Sequence, residues 1–158
     1  MLNLIITVIS IALVAVLAAA SVFYGGRAWS EGSVSASASH VISSSQQVAA
    51  GITLYNNNEA SMPPSIASAA GSPVPVSDVA SDLISRGIMT STPSLPVNVS
   101  NFNVEVVSIN DRRVTATIAS EDICNKVNER SSGVNSPYIC TPTIDAGVFQ
   151  SGAFVYKF

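Results

Sequence analysis

Two cysteines, Cys124 and Cys140, are the residues whose chemistry this sequence indicates most directly. In a protein exported across a membrane, a pair of cysteines usually forms a disulfide. We therefore predict a Cys124–Cys140 disulfide, which would stabilise the fold by roughly 3 kcal/mol by reducing the entropy of the unfolded chain. Two unpaired, buried thiols are the alternative. A zinc site has less support, because zinc takes four ligands and the one histidine, His40, is distant in sequence.

The other polar residues do not form a recognisable catalytic motif. The sequence contains no Gly-rich phosphate loop, no HExxH and no GxSxG pattern. Asp78 and Asp82 share one face of a predicted helix, where a solvated surface is favoured over a weak cation site. Glu121 and Asp122 lie where a helix N-terminus favours negative charge. We therefore predict that the protein is not an enzyme and holds no cofactor or metal.

Charged residues are unusually scarce in this chain. They make up 11% of the 158 residues, whereas hydrophobic residues make up 47%. A typical domain has about a quarter charged residues. The formal net charge is −3 and the basic residues form no patch, which argues against nucleic-acid binding through phosphate contacts. The length suits one modest domain plus an anchor.

The scarcity of charge is most pronounced at the N-terminus, where no charged side chain precedes Arg27. As a helix, the apolar stretch from Met1 to Tyr24 would be roughly 36 Å long, enough to cross the hydrocarbon core of a bilayer. Three interpretations remain open: a cleavable secretory signal, a simple membrane anchor, and an anchor that also serves as an assembly helix. A signal would need a basic region before the apolar core, and the sequence shows none there.

A second helical pattern follows Gly25 and Gly26, which could form a joint. Apolar residues recur at three- and four-residue steps and predict an amphipathic helix over residues 27–56, ended by the run Asn56-Asn57-Asn58. Serine is a middling helix former, so this serine-rich helix must be stabilised by packing on the rest of the chain, which favours the assembly-helix interpretation. The predicted apolar stripe comprises Trp29, Val34, Ala38, Val41, Ile42, Val48, Ala49, Ile52 and Tyr55.

The region after the stripe predicts a loop and then a short helix. Residues 57–75 are rich in Pro, Ser, Ala and Asn, which indicates a loop over the surface. Ser77 is a plausible N-cap for the helix, and Gly87 a plausible end. We expect its buried face to contain Val79, Leu83 and Ile84.

Two runs that alternate apolar and polar residues, 101–109 and 113–119, predict a β-hairpin with one buried face. A further strand is predicted over residues 147–158. Between them, Ser120 can cap a second helix that extends from Glu121 to about Arg130. The alternation in the hairpin places on its buried face Phe102, Val104, Val106, Val114, Ala116 and Ile118.

These elements predict an α+β fold. A long N-terminal helix, hydrophobic in its first half and amphipathic in its second, would pack on a small antiparallel sheet of three or four strands. We divide the chain into a hydrophobic helix over residues 1–26 and a globular head over residues 27–158 that includes the amphipathic helix.

This order of parts resembles a type IV pilin, and the type IVb branch in particular, in which a mature chain can begin with residues such as Met1-Leu2. The resemblance covers the whole chain as architecture. It implies that a prepilin peptidase removes a short leader, that the Met1 amine is methylated, and that the helices bundle in a filament core. The residues that would pack in that core are Leu2, Leu4, Ile5, Ile6, Val8, Ile9, Leu13, Val16 and Leu17.

The resemblance implies a structural subunit that forms a helical homo-oligomeric filament. The chain would reside in the bacterial inner membrane with its head in the periplasm, and pilus assembly machinery would move it to the cell surface for a role such as adhesion. A minor pilin and a secretion-system pseudopilin are the nearest alternatives, and a singly anchored periplasmic binding module is an alternative of another class. The sequence departs from the family at Ile5, where pilins usually carry glutamate.

Overall fold

The structure is a computed structural model that describes residues 2–69, 71–108, 111–131 and 136–158. It forms two compact units, one ending at Ser35 and the other Ala36–Phe158. The compositional division between residues 26 and 27 stays a prediction. The helices are α1 (Leu2–Glu59), α2 (Pro64–Ser68), α3 (Val76–Ser85) and α4 (Glu121–Arg130), and the strands are β1 (Val74–Pro75), β2 (Val99–Ser108), β3 (Asp111–Ile118), β4 (Tyr138–Asp145) and β5 (Val148–Lys157).

The apolar and amphipathic patterns form one helix, α1, and Gly25 and Gly26 lie inside it. The predicted end at Asn56-Asn57-Asn58 is wrong, because α1 continues to Glu59. Asparagine disfavours a helix only weakly, and the burial of Tyr55 holds the preceding turn in place. The helix ends where Ala60 takes a left-handed backbone conformation, with φ of 50°.

Most of the predicted stripe on α1 is buried in the second unit. Its buried members are Ala38, Val41, Ile42, Val48, Ala49, Ile52 and Tyr55. Val34 is half-buried. Trp29 is 82% exposed, so its inclusion in the stripe is wrong. Helical spacing identified the residues that share a face, but it could not show where along the helix the packing begins.

The sheet has five strands in the order β1-β2-β3-β5-β4, and every neighbouring pair is antiparallel. The predicted hairpin is confirmed as β2 and β3, with Val104 and Val114 paired and buried. Asp111 and Arg112, which lie between the two predicted runs and were expected in the connecting loop, belong to β3. Residues 109 and 110 lie outside the described residues. The final predicted strand is confirmed as β5.

Two strands and one helix escaped prediction. β1 and α2 lie in the region predicted as a loop, because both contain prolines, which are typical of loops. No strand was predicted at β4, because the prolines at 137 and 142 and the threonines beside Pro142 are typical of a loop. The sheet therefore has more strands than the three or four expected.

The core forms where α1 and α3 pack on one face of the sheet. Its buried cluster comprises Val48, Ile52, Tyr55, Ile66, Val74, Val76, Val79, Leu83, Val104 and Val114. Helix α3 begins earlier than predicted, with Pro75 and not Ser77 at the N-cap position, where the missing N–H of proline costs the helix no hydrogen bond. Ile84 is exposed, against expectation. Gly87, with φ of 71°, follows the end of α3 as predicted.

The predicted fold class is therefore confirmed. The chain is an α+β protein in which a long N-terminal helix packs on a small antiparallel sheet. Helix α4 forms at Glu121–Arg130 as predicted, and it buries Ile123, Cys124 and Val127. Ser120 occupies its N-cap position without a side-chain capping hydrogen bond.

Candidate functional site

The first half of α1 presents an exposed apolar surface. The exposed fractions of its large apolar side chains from residue 4 to residue 22 run from 54% at Ile9 to 77% at Val22. Contiguous apolar surface of this kind marks contact with a membrane or with another protein. The predicted filament-core residues whose side chains are described are all exposed: Leu4, Ile5, Ile6, Val8, Ile9, Leu13, Val16 and Leu17. Met1 and the side chain of Leu2 lie outside the described residues.

Two serine side chains in this segment bond to their own helix. The Ser10 hydroxyl donates to the carbonyl oxygen of Ile6 at 2.8 Å, and the Ser21 hydroxyl donates to that of Leu17 at 2.8 Å. Each hydroxyl donor is thereby satisfied without water. The surface can therefore lie in an apolar phase without leaving these donors unpaired. Among the described residues, α1 is the one helix with the length and composition of a membrane span.

Aromatic side chains follow the apolar segment. Phe23 and Tyr24 contact each other edge to face, with ring centroids 6.1 Å apart. With Trp29, they are exposed by 64% or more. Aromatic residues favour the interface between hydrocarbon and water, so this group suits one end of a membrane span. A stacking contact between subunits is the alternative function for the same exposed rings.

The second functional feature is the disulfide between Cys124 on α4 and Cys140 on β4, which confirms the predicted pair. Their Cα atoms are 5.4 Å apart, and both residues are 1% exposed. Gly152 on β5 lies against this bridge, and a Cβ atom added there would come within 2.7 Å of both sulfur atoms. Gly152 was not identified from the sequence, although a glycine inside a strand is a signal of close approach by other atoms.

Asn128 makes a second link between α4 and β4. Its side-chain amide donates to the carbonyl oxygen of Cys140 at 2.7 Å, and its Oδ1 accepts the Cys140 N–H at 2.9 Å. Nothing in the sequence distinguishes Asn128 from other asparagines, because the contact depends on tertiary packing. Arg130, at the end of α4, donates to the Ser39 hydroxyl on α1. Helix α4 is thus fastened to both the sheet and α1.

The acidic residues considered as weak cation ligands have other partners. Asp82 accepts the backbone N–H of Ser65 at 2.8 Å, which links α3 to α2. Asp78 accepts the Ser77 hydroxyl at 3.1 Å. His40 is exposed, with its Nδ1 3.5 Å from the Ser44 hydroxyl. Within the described part of the chain, no three His, Cys, Asp or Glu residues come together as metal ligands do.

Two ion pairs shift the pKa values of surface groups. Arg113 donates from Nε to Asp111 Oδ1 at 2.9 Å and from Nη2 to Oδ2 at 2.5 Å. These hydrogen bonds hold the pKa of Asp111 below its usual value and raise the pKa of Arg113. A hydrogen bond from Lys126 likewise lowers the pKa of Glu129. The Asp111 and Arg113 side chains are 33% and 30% exposed, and Glu129 is 67% exposed.

Comparisons with protein-family models, with curated protein sequences and with solved structures find no significant match to this chain. Its class therefore rests on its own structure. Over its described residues, the chain is an α+β protein with a disulfide and with a helix, α1, that is long and apolar enough to cross a membrane.

Proposed function

We propose that this protein is a structural subunit of a type IV pilus-like extracellular filament and polymerises through the first half of α1. The observation that carries the proposal is that one helix joins an exposed, uncharged apolar segment to a stripe buried in an α+β unit. A filament subunit needs both properties, since the same helix must first lie in lipid and later pack against copies of itself.

Moving this helix from a bilayer to a filament core exchanges one apolar environment for another. The hydrophobic effect therefore opposes extraction only weakly, and van der Waals packing between helices must supply the gain. Ile5 is apolar and 57% exposed, so helix packing in this filament would use no carboxylate at that position. Nearby polar side chains or backbone carbonyls would then solvate a buried N-terminal amine, because an unpaired buried charge is costly.

In this proposal, a prepilin peptidase removes a short leader, Met1 carries the methylated amine, and the inner membrane holds the chain until assembly. The filament would then present the disulfide-containing unit at the cell surface for adhesion or a related role. A minor pilin or a secretion-system pseudopilin would have the same design in a shorter filament. A singly anchored binding module would use α1 only to stay in the membrane.

An apolar substitution that enlarges a small residue separates assembly from anchoring. Ala15 is exposed in the apolar segment, and Ala15→Phe keeps that segment apolar while adding volume. A protein bundle rejects the added volume, whereas fluid lipid accommodates it. We expect Ala15→Phe to reduce filaments on the cell surface at least tenfold and to leave the amount of chain in the membrane fraction unchanged.

Leu17→Met is the matched control, because it changes volume very little in the same segment. We expect near wild-type numbers of filaments from it, counted by electron microscopy of sheared surface material. If the wild-type chain is always recovered as a monomer in membranes, and Ala15→Phe behaves identically, the chain is an anchored module and not a filament subunit.

A further inference from the structure

Strand β4 is an edge of the sheet, where unpaired backbone groups can recruit a strand from another molecule. Its register with β5 is regular from Tyr138 to Thr143. Residues two positions apart therefore turn their backbone N–H and C=O groups to the same side. The backbone of Cys140 bonds to Asn128, which is not part of the sheet, so it points away from β5. The backbone groups of Tyr138 and Pro142, two positions to either side, therefore also point to the outer edge.

Each of these three positions is obstructed. Both backbone groups of Cys140 are occupied by the Asn128 amide, which forms the same reciprocal pair of hydrogen bonds as a residue on a neighbouring strand. Pro142 has no N–H to donate. The carbonyl oxygen of Tyr138 accepts the Ser136 hydroxyl at 3.1 Å. An incoming strand would have to displace two of these interactions and would find no donor at the third position.

We propose that Asn128, together with Pro142, closes the β4 edge against strand addition, so that copies of this chain cannot pair strands across this edge. The alternative role of Asn128 is only to hold α4 against β4. That role explains its two hydrogen bonds less well, because the disulfide already joins Cys140 to α4. The strand needs such protection, since Ile139 and Ile144 expose 52% and 61% of their surface beside the edge. Exposed apolar edge strands promote aggregation.

This inference does not depend on the proposed function. An anchored module and a filament subunit would both be crowded in a membrane, and either would aggregate through an open edge. A closed β4 edge would also exclude strand addition at β4 as the contact between copies in a filament.

Asn128→Ala and Pro142→Thr, separately and together, test the proposal in the full chain solubilised in detergent. Asn125→Ala, at an exposed position on α4, is the matched control. Analytical ultracentrifugation over a concentration series and thioflavin T fluorescence report association, and a free-thiol count with circular dichroism confirms the fold. We expect the double variant to self-associate at a concentration at least tenfold lower than the wild type, with thioflavin T binding, and Asn125→Ala to match the wild type.

The proposal is overturned if the double variant keeps its disulfide and native circular dichroism but sediments like the wild type at every concentration. Should Asn128→Ala fail to form the disulfide, Pro142→Thr alone decides, because Pro142 is exposed and the change restores one edge N–H without removing a buried contact. We expect this variant to associate at a lower concentration than the wild type, and unchanged sedimentation would overturn the proposal.

Discussion

Gly152 shows how one residue determines whether the disulfide can be accommodated. Both sulfur atoms lie 2.7 Å from the position that a Cβ atom would occupy, which is closer than real Cβ atoms approach other atoms. The bridge is 1% exposed at each cysteine and has little room to move. Any larger residue at position 152 must therefore displace the bridge or the strand.

We expect Gly152→Ala to lower the free energy of unfolding by about 2 kcal/mol, the typical cost of overpacking a core. The direction is informative, because alanine elsewhere in a strand usually stabilises relative to glycine. Ser151→Ala on the same strand is the control and should change stability by less than about 0.5 kcal/mol. Urea unfolding of the detergent-solubilised chain measures both, and a Gly152→Ala variant as stable as the wild type contradicts the close contact.

Ala146 has a backbone conformation that is unfavourable for alanine. It lies in the two-residue turn between β4 and β5 with φ of 48°, next to Gly147 with φ of 80°. Two positive φ values define a type I′ turn, whose preferred first residue is asparagine. Alanine is disfavoured there because its Cβ crowds the backbone.

We expect Ala146→Asn to raise the free energy of unfolding by about 0.5–1 kcal/mol, since asparagine adopts this conformation at lower cost. Ala146→Val should have the opposite effect, because a β-branched residue is the least tolerant of positive φ. Thermal unfolding of both variants and the wild type shows whether each substitution raises or lowers the melting temperature. Equal melting temperatures for both would show that the turn does not impose this geometry.

At the scale of elements, α1 shows what periodicity in the sequence can predict. Spacing identified the buried face from Ala38 to Tyr55, because residues three and four apart share a side of a helix. Spacing could not show at which residue of α1 this face becomes buried, and Trp29 precedes that point. β4 was missed because its prolines and threonines interrupt the alternation of apolar and polar residues. The contact of Asn128 with this strand could not be predicted, because it depends on how α4 packs on the sheet and not on spacing along the sequence.

Ile52 and Leu54 provide a direct comparison of the two faces of α1. Ile52 is fully buried, whereas Leu54, two positions further along, is 52% exposed. We expect Ile52→Ala to cost about 3 kcal/mol, from lost burial and a cavity, and Leu54→Ala to cost less than about 1 kcal/mol. Urea unfolding compares them, and similar losses at the two positions would refute the packing of this stripe on the sheet.

At the scale of the whole molecule, different surfaces would have different tasks. In the proposed function, the exposed apolar segment of α1 makes the contacts between subunits. At the β4 edge, the sheet would offer no free run of backbone groups to another strand. The disulfide and Asn128 hold α4 on the sheet, so they stabilise this unit against unfolding.

Polymerisation through α1 is the property on which the proposed function depends. Electron microscopy of material sheared from the cell surface, with mass spectrometry of the purified filaments, measures it without intermediate assumptions. We predict long filaments whose subunit is this chain, with a methylated N-terminal amine on Met1. Recovery of the chain only as an unmethylated monomer in the membrane fraction would contradict polymerisation.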